Sequence, residues 1–340
     1  MKKLKLVQFG VTHEHAMGKI DSIKKMTDTF EIAGVVDDRA STAARFPQIV
    51  DMTHCENLNM ITEAEFFERN DFDLVVLETA NAELAPTALK ILEKKLPMHM
   101  DKPGGDAELF DRLSREYERL QLPFQMGYML RVNPVFQFCA RCIKNGLLGD
   151  IFEIQCDMHH HYGGEEYAHY MAEQPGGIMF NLCCHLLDFI VGVMGKPENI
   201  FSSLKSTPDA PNGALNNCMA VLEYAHATAT VRACCKDFSS GRRLRIAGTK
   251  GVIEMCPTEK FSTPMDITLT LSENSGDFPA GLHKLQFPLF KDRYAPQLQE
   301  LADIINGKKP NVDIYAHDRL VNHVILACSQ LEKWDPSRKY

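Results

Sequence analysis

Short apolar runs and helical repeats alternate along the first 126 residues. The apolar runs predict strands at Leu4–Phe9, Glu31–Val36, Leu74–Glu78, Met98–Met100 and Pro123–Gly127. The segments between them have helical spacing and predict helices at about His15–Met26, Ala85–Lys95 and Glu108–Leu120. Strands that alternate with helices in this way are typical of a doubly wound parallel α/β sheet with right-handed crossovers.

The pattern changes after about residue 126. Helices are predicted at Pro134–Asn145, after Gly176–Gly177, at Ala295–Asn306 and at Asp318–Lys333. Strands are predicted at Ile151–His159, Gly195–Lys205, Asn217–Tyr224, Thr228–Cys235, Arg242–Ala247 and Gly251–Met255. This half is typical of an α+β domain with an open, mostly antiparallel sheet. We therefore predict one domain at residues 1–126 and a second at residues 127–340.

Composition narrows the range of functions. The chain has 340 residues, of which 45% are apolar and 24% charged, and its net charge of −8 argues against binding to nucleic acid. No apolar run approaches the length of about 20 residues that spans a bilayer, and no signal-peptide core follows residues 1–9. The 11 scattered cysteines are expected to be reduced core thiols, although a reactive or metal-binding thiol is an alternative. We therefore expect a cytoplasmic protein.

The turn after the first predicted strand resembles a dinucleotide fingerprint in part. It keeps only the first glycine, Gly10, while Thr12 and His15 occupy the positions of the second and third. The hydroxyl of Thr12 could cap the following helix or bind a phosphate oxygen. His13 and His15 could face the cofactor phosphates or the substrate, or lie in solvent. A strand–helix turn without a ligand is the alternative.

Asp37 at the end of the second strand strengthens the case for a nucleotide. A carboxylate there can accept hydrogen bonds from both ribose hydroxyls and repels a 2′-phosphate, which favours NAD. The neighbouring Arg39 could bind such a phosphate, so NADP is possible. The structural alternative is that Asp37 only closes a strand.

Lys102, at the tip of a strand, and His185, on a predicted helix, could together handle the proton of a hydroxyl group. An imidazole is suited to remove that proton, and an ammonium can stabilise the developing alkoxide. On one continuous helix Asn181, His185 and Asp188 would share a face. This pairing predicts a dehydrogenase with its active site between two domains, whereas a histidine that only binds a core carbonyl is the alternative.

Other residues are weaker candidates. Gly176–Gly177 could permit unusual dihedral angles or a close approach to a ligand. Arg131 is a possible substrate clamp or a domain-interface salt bridge, and Tyr128 could line the pocket or simply pack. The run His159–His161, with His169 as a possible third ligand, raises the question of a metal, but exposed histidines are the more ordinary interpretation. We therefore predict no metal site.

Several motifs together resemble the glucose–fructose oxidoreductase / inositol dehydrogenase family (Gfo/Idh/MocA), nearly from end to end. They are D-L-V-V-L-E-T-A-N at Asp73–Asn81, M-D-K-P-G-G ending at Gly105, G-Y-M-L-R-V-N-P at Gly127–Pro134, G-L-L-G-D-I at Gly146–Ile151, G-G-I-M-F-N-L-C-C-H-L-L-D ending at Asp188, and I-A-G-T-K-G-V-I-E at Ile246–Glu254. The second motif is similar to the family's E-K-P, and the fifth is similar to its G-G-x-x-x-D-x-x-x-H-x-x-D.

The resemblance implies a Rossmann domain followed by a sheet domain through which such proteins often form dimers or tetramers. It also implies NAD or NADP and a sugar, polyol, inositol or sugar-acid substrate. Lys102 and His185 would be catalytic and in contact with cofactor and substrate respectively, while Thr79 and Asn81 would lie near the cofactor.

The chain departs from the family pattern at Asn181, which takes the place of the catalytic aspartate. An amide can orient a substrate but cannot raise the basicity of His185 as a carboxylate would. A lyase, epimerase or glycoside-cleaving enzyme that retains NAD through a transient redox cycle is therefore an alternative. A non-catalytic nucleotide-binding regulator is another.

Overall fold

The protein is described by a computed structural model that covers residues 3–41, 50–159, 161, 164–238, 242–258, 264–312 and 314–340. By internal contacts the chain divides into two units. The N-terminal unit comprises Met1–Tyr128 and Asp292–Asn322, and the C-terminal unit comprises Met129–Lys291 and His323–Tyr340. The domains predicted at 1–126 and 127–340 stay a prediction; the division by contacts differs from them in assigning Asp292–Asn322 to the N-terminal unit.

The N-terminal unit contains a parallel sheet of six strands in the order β3-β2-β1-β4-β5-β6. Its strands are β1 (Leu4–Phe9), β2 (Phe30–Val36), β3 (Met60–Ile61), β4 (Leu74–Leu77), β5 (Met98–Met100) and β6 (Phe124–Met126). The helices between them are α1 (Ala16–Lys25), α2 (Glu63–Glu68), α3 (Leu84–Ile91) and α4 (Ala107–Leu120). The strand order reverses between β1 and β4, so the predicted doubly wound Rossmann-type fold is confirmed.

Burial explains why the strand predictions in this unit succeeded. All four residues of β4 are buried, as expected for a central strand with both faces covered. One core cluster joins residues of the sheet and two helices, including Leu6, Ile23, Val76 and Leu298. Leu298 belongs to α9 (Ala295–Ile305), which explains why a helix late in the chain belongs to the N-terminal unit.

The C-terminal unit contains an eight-stranded sheet in the order β14-β13-β12-β11-β7-β10-β9-β8. Its strands are β7 (Ile151–Met158), β8 (Asn199–Lys205), β9 (Asn217–Tyr224), β10 (Ala227–Cys234), β11 (Arg242–Gly248), β12 (Gly251–Met255), β13 (Met265–Leu271) and β14 (Gly281–Phe287). Only the β7–β10 pair is parallel among these strands, so the predicted mostly antiparallel sheet is confirmed. The helices are α5 (Pro134–Lys144), α6 (Gly164–Ala172), α7 (Gly177–Asn181) and α8 (Cys184–Met194), and α10 (Tyr315–Cys328) crosses the division between the units.

Some elements were not predicted. Strand β13 buries Met265, Ile267, Leu269 and Leu271 in strict alternation, a clear two-residue period that the sequence interpretation passed over. The segment from Tyr162 to Glu173 was treated as a loop, yet α6 occupies most of it. The last helix begins three residues earlier than predicted and ends at Cys328. Among the described residues, no helix is both long and apolar enough to cross a membrane.

Candidate active site

The carboxyl ends of three central strands of the N-terminal unit carry the candidate residues. Gly10 follows β1, Thr79 lies two residues after β4, and Lys102 lies two residues after β5. Strands β1 and β4 are neighbours at the point where the strand order reverses. Ligands of doubly wound sheets bind in the crevice at such a point, outside the carboxyl ends of the strands. The fold therefore places these predicted residues at the edge of the sheet where a ligand is expected.

The turn after β1 depends on Gly10. Its φ is +98°, and a Cβ there would lie 2.6 Å from the backbone nitrogen of Thr79 and 2.7 Å from the carbonyl carbon of Glu78. A side chain at this position would therefore separate the ends of β1 and β4.

Hydrogen bonds to Asp38 stabilise the part of this turn that follows Gly10. The carboxylate of Asp38 accepts hydrogen bonds from the backbone N–H groups of Val11 and Thr12 and from the hydroxyl of Thr12. The prediction that Thr12 caps α1 is wrong, because its hydroxyl is bound to Asp38 and the N-cap residue of α1 is His15, without a side-chain cap. The side chain of His15 thus leaves the first N–H groups of α1 uncapped.

The contact with the ribose that was predicted for Asp37 stays a prediction. In this structure its carboxylate accepts from Arg39, with Nε at 3.0 and 3.1 Å from the two oxygens and a terminal nitrogen at 2.7 Å from Oδ2. These side-chain hydrogen bonds hold the pKa of Asp37 below its ordinary value. The Asp37 side chain is 32% exposed, so solvent still reaches it beside the salt bridge.

A buried charge cluster lies behind the turn and was not predicted. Lys19 of α1 is 1% exposed, and its ammonium donates to Glu78, to Nε2 of His99 at 2.9 Å and to Oδ2 of Asp101 at 2.5 Å. These three contacts use all three donors of the ammonium. His99 donates in turn through Nδ1 to Gln125 at 2.8 Å. We call Lys19, Glu78, His99 and Asp101 the Lys19 cluster.

The pKa values of the two carboxyl groups of the Lys19 cluster are shifted in opposite directions. Burial raises the pKa of Glu78 well above its ordinary value, and the adjacent Asp101 adds to this effect. Burial acts in the same direction on Asp101, but His13, Lys19 and His15 outweigh it, so the pKa of Asp101 lies well below its ordinary value. The pKa values of the two carboxyl groups thus shift in opposite directions, because Asp101 lies beside more basic groups than Glu78 does.

Both the backbone N–H and the backbone carbonyl of Lys102 form hydrogen bonds with side chains. Its N–H donates to Oδ1 of Asp101 at 2.6 Å, and its carbonyl oxygen lies 3.0 Å from Nε2 of His13. Nδ1 of His13 accepts from the N–H of His15, so Nε2 must carry the ring proton and donate. Burial lowers the pKa of His13 to about 4, in agreement with a neutral ring. His13 is therefore a buried support of Lys102, and its interpretation as a solvated residue is wrong.

The neutral buried imidazoles predict how stability depends on pH. Burial lowers the pKa of His99 from 6.5 to about 3, so between these values the unfolded chain binds a proton that the folded chain excludes. The free energy of unfolding must therefore fall as the pH falls through this range. Replacing His99 with Gln, which keeps a donor and an acceptor, should make the decline shallower by about 1.4 kcal/mol per pH unit between about pH 6 and pH 4.

Urea unfolding at several pH values measures this slope. The matched control is His226→Gln, which removes an exposed imidazole in the turn between β9 and β10. A slope for His99→Gln equal to that of the unchanged protein would show that His99 takes up a proton in the folded state.

Thr79 and Asn81 follow β4, as the motif predicted. Thr79 is 2% exposed, and its hydroxyl has no hydrogen-bond partner among the described residues. Asn81 is 7% exposed and begins a short 3₁₀ turn that leads into α3. A buried hydroxyl without a partner is costly unless a ligand or water completes it. Their predicted proximity to the cofactor stays a prediction.

In the C-terminal unit, the predicted continuous helix is interrupted. Helix α7 ends at Asn181 and α8 begins at Cys184, so the single helical face proposed for Asn181, His185 and Asp188 is wrong. Every residue from Gly176 to Val191 is buried, and packing on all sides, rather than an amphipathic repeat, determines the conformation of this segment. The roles predicted for Asn181 and His185 stay predictions.

The glycine pair before α7 has the unusual dihedral angles that the sequence suggested. Gly176 has φ +69° and Gly177 has φ +58°, and a Cβ on Gly177 would lie 2.1 Å from the carbonyl oxygen of Leu215. The pair therefore lets α7 start against the segment before β9.

Arg131 is bound within the C-terminal unit. Its Nε lies 3.1 and 3.0 Å from the carboxylate oxygens of Asp188, and a terminal nitrogen lies 2.5 Å from Oδ1. Asp188 is 2% exposed, so this bidentate pair fixes α8 to the segment after β6. A contact of Arg131 with substrate stays a prediction, as does one for Tyr128, which is 1% exposed.

The histidine run offers little support for a metal. His159 is buried and His161 is exposed, whereas His160 lies outside the described residues. A different group, His13, His15 and Asp101, has ligand atoms within 4.8 Å of one another. Both ring nitrogens of His13 already form hydrogen bonds, and the ammonium of Lys19 lies on Asp101. The donor set therefore does not suit a cation.

Comparison with known proteins supports the fold and part of the family assignment. Residues 136–254 match the family described as GFO/IDH/MocA C-terminal domain. The predicted family resemblance is thereby confirmed for this part of the chain. No curated protein matches the chain.

Solved structures resemble the chain over almost its full length. An oxidoreductase from Agrobacterium radiobacter, solved with NAD+, L-tartaric acid and magnesium, has 16% identity and a TM-score of 0.78, and the match covers 97% of this chain and 96% of that one. An oxidoreductase from Thermotoga maritima has 18% identity, a TM-score of 0.75 and coverages of 97% and 96%. A candidate myo-inositol dehydrogenase from Sinorhizobium meliloti has 15% identity, a TM-score of 0.72 and coverages of 96% and 97%. At these identities the similarity establishes the fold.

Proposed function

We propose, on the premise that residues 136–254 are a GFO/IDH/MocA C-terminal domain, that this protein is an NAD-dependent oxidoreductase. It would transfer a hydride between the nicotinamide and a secondary hydroxyl of a sugar, a polyol or inositol, or a sugar acid. The observation that carries the proposal is the position of Gly10, Thr79 and Lys102 at the carboxyl ends of β1, β4 and β5. NADP is the less favoured cofactor because Asp37 ends β2.

The N-terminal unit fits a dinucleotide in three respects. Gly10 keeps the turn close to the end of β4, and the N-cap residue His15 does not cap α1 with its side chain. The buried hydroxyl of Thr79 has no partner among the described residues, so a ligand there could complete it. The similar structure from Agrobacterium radiobacter contains NAD+.

Each proposed catalytic residue has a distinct task. Bound NAD would accept the hydride that leaves the carbon. Lys102 would donate a hydrogen bond to the substrate oxygen and stabilise the developing alkoxide, and His185 would remove the hydroxyl proton. Asn181 would orient the substrate through its amide, because it has no charge to share with His185. Gly10, Thr12, His13, His15, Asp37, Thr79 and Asn81 would form or support the cofactor turn.

We also propose that the protein is a cytoplasmic homo-oligomer, a dimer or tetramer assembled through the C-terminal sheet. Two large apolar side chains, Phe201 of β8 and Met219 of β9, are 54% and 41% exposed on adjacent strands. Exposed apolar groups on adjacent strands are a feature of interaction surfaces. The 11 cysteines are present as thiols, which a reducing compartment would maintain.

A ligand screen in two stages tests the proposal. NAD+ should raise the melting temperature in a dose-dependent way and more than NADP+ at equal concentration. A panel of sugars, polyols and sugar acids should then contain a substrate that forms stoichiometric NADH. If neither dinucleotide raises the melting temperature at millimolar concentration, the proposed cofactor is wrong.

Asn181 gives one observation in favour of a second function. Because Asn181 stands where the family pattern has an aspartate, a transient redox cycle on a retained NAD, as in a lyase, epimerase or glycoside-cleaving enzyme, is the second candidate function. Such an enzyme would consume substrate without accumulating NADH. Stoichiometric NADH would exclude it.

A further inference from the structure

Glu14 introduces a carboxylate where a dinucleotide needs a positive or neutral surface. It lies in the turn after β1, one residue before His15, the N-cap of α1. In a dinucleotide-binding fold the diphosphate lies at this turn and at the start of this helix. An isolated carboxylate there would repel the diphosphate.

Lys102 lies directly against this carboxylate. Its Nζ is 2.6 Å from Oε1 of Glu14, the side chain of Lys102 is 0% exposed, and that of Glu14 is 22% exposed. The backbone of Lys102 is held by Asp101 and His13, so the base of the lysine side chain has a fixed position. The ion pair between Lys102 and Glu14 is therefore supported by the fixed backbone of Lys102.

The carboxyl group of Glu14 is ionised at neutral pH. Burial acts to raise the pKa of Glu14, but the Lys102 ammonium outweighs it and holds this pKa well below its ordinary value. Removal of the ammonium alone would make the turn more negative by one charge while Glu14 stays in place. Removal of the Lys102 ammonium would therefore weaken the binding of any ligand that brings a diphosphate to the turn, with or without a nicotinamide.

We infer that Lys102 neutralises Glu14 within the turn after β1, where the diphosphate of the cofactor would lie. Cofactor affinity then depends on this lysine through charge as well as through any contact with the nicotinamide. The inference rests on the proposed function, since it assumes a dinucleotide at this turn. It gives Lys102 a second task and identifies Glu14 as a residue that determines cofactor affinity.

A double-mutant cycle tests the inference with ADP-ribose, which has the diphosphate but no nicotinamide. Calorimetry should show that Lys102→Met weakens ADP-ribose binding about tenfold, because the turn beside the diphosphate then becomes more negative by one charge. Glu14→Gln should bind as tightly as the unchanged protein or up to about tenfold more tightly. The double variant Lys102→Met/Glu14→Gln should recover to within about threefold of the unchanged protein. The loss in Lys102→Met should shrink at high ionic strength.

Matched controls remove the same charges elsewhere in the N-terminal unit. Lys90→Met, Glu93→Gln and their double variant change exposed residues of α3 and the turn that follows it, and should each bind ADP-ribose as the unchanged protein does. Equal weakening in Lys102→Met and in its double variant with Glu14→Gln would overturn the inference and leave the proposed function intact. Failure of the unchanged protein to bind ADP-ribose, NAD+ or NADP+ would instead reject the proposed function and, with it, the inference.

Discussion

Lys102→Met is expected to lower kcat at saturating NAD+ by about a thousandfold or more. The substitution keeps the length of the side chain but removes the ammonium that would donate to the substrate oxygen, and one such electrostatic donor is worth roughly 10²–10³ in kcat before any role in proton transfer is added. His185→Gln should cause a loss of about 10²–10⁴ and flatten the acidic limb of the pH–rate profile. Steady-state NADH formation over a range of pH measures both effects.

The control for Lys102→Met is Lys90→Met, which removes an exposed ammonium from α3. It should retain full activity. Because Lys102→Met is also expected to weaken cofactor binding, its turnover must be compared at NAD+ concentrations well above the dissociation constant of the variant. A kcat for Lys102→Met within about threefold of the unchanged protein would remove this lysine from the chemical mechanism.

Lys19→Met is expected to destabilise the protein by about 4 kcal/mol. Lys19 is 1% exposed and donates to Glu78, His99 and Asp101. Its removal leaves Asp101 as a buried charge without its ammonium, and breaking a buried pair on one side costs roughly 3–5 kcal/mol. Guanidinium-induced unfolding followed by circular dichroism measures the change in the free energy of unfolding.

Two further variants separate this effect from a simple loss of packing. Lys19→Met/Asp101→Asn removes both charges, while the new amide oxygen can still accept from the N–H of Lys102; at least half of the lost stability should return. Lys25→Met changes an exposed lysine at the end of the same helix and should be nearly neutral. A destabilisation below about 1 kcal/mol in Lys19→Met would show that the cluster contributes little to folding.

The N-terminal unit could be predicted from sequence because its strands are buried on both faces. Continuous apolar runs such as Leu74–Leu77 have few alternative structures once helices separate them. The short strand β3 and helix α2 were missed because they span only two and six residues. The late helix α9 illustrates a different limit: its existence was predicted, but its membership in the N-terminal unit depends on core contacts between residues far apart in the chain.

The Lys19 cluster was not predicted from the sequence, although the sequence contains an indication of it. His99 lies inside an apolar strand, and Glu78 directly follows one. Ionisable residues in segments that must be buried require partners, so each of them implies an opposite or complementary group elsewhere. Which residue supplies the ammonium depends on the packing of α1 against the sheet, and no spacing in the sequence identifies Lys19.

The segment around His185 shows why a periodic pattern can mislead. Asn181, His185 and Asp188 have the spacing of one helical face, yet the chain leaves the helix between Asn181 and Cys184. The inference assumed an amphipathic helix with one polar side, whereas the whole segment is buried. In such surroundings packing against neighbouring elements decides where a helix breaks.

Isotope transfer tests the central claim most directly. A substrate found in the panel would be labelled with deuterium at the carbinol carbon and incubated with NAD+ and the purified protein, and the NADH would be analysed by mass spectrometry. The account predicts one deuterium in each NADH formed, on a single face of the nicotinamide, and deuterium transfer about a thousandfold slower when Lys102→Met replaces the unchanged protein. Consumption of the labelled substrate with no deuterium in the released cofactor would contradict it.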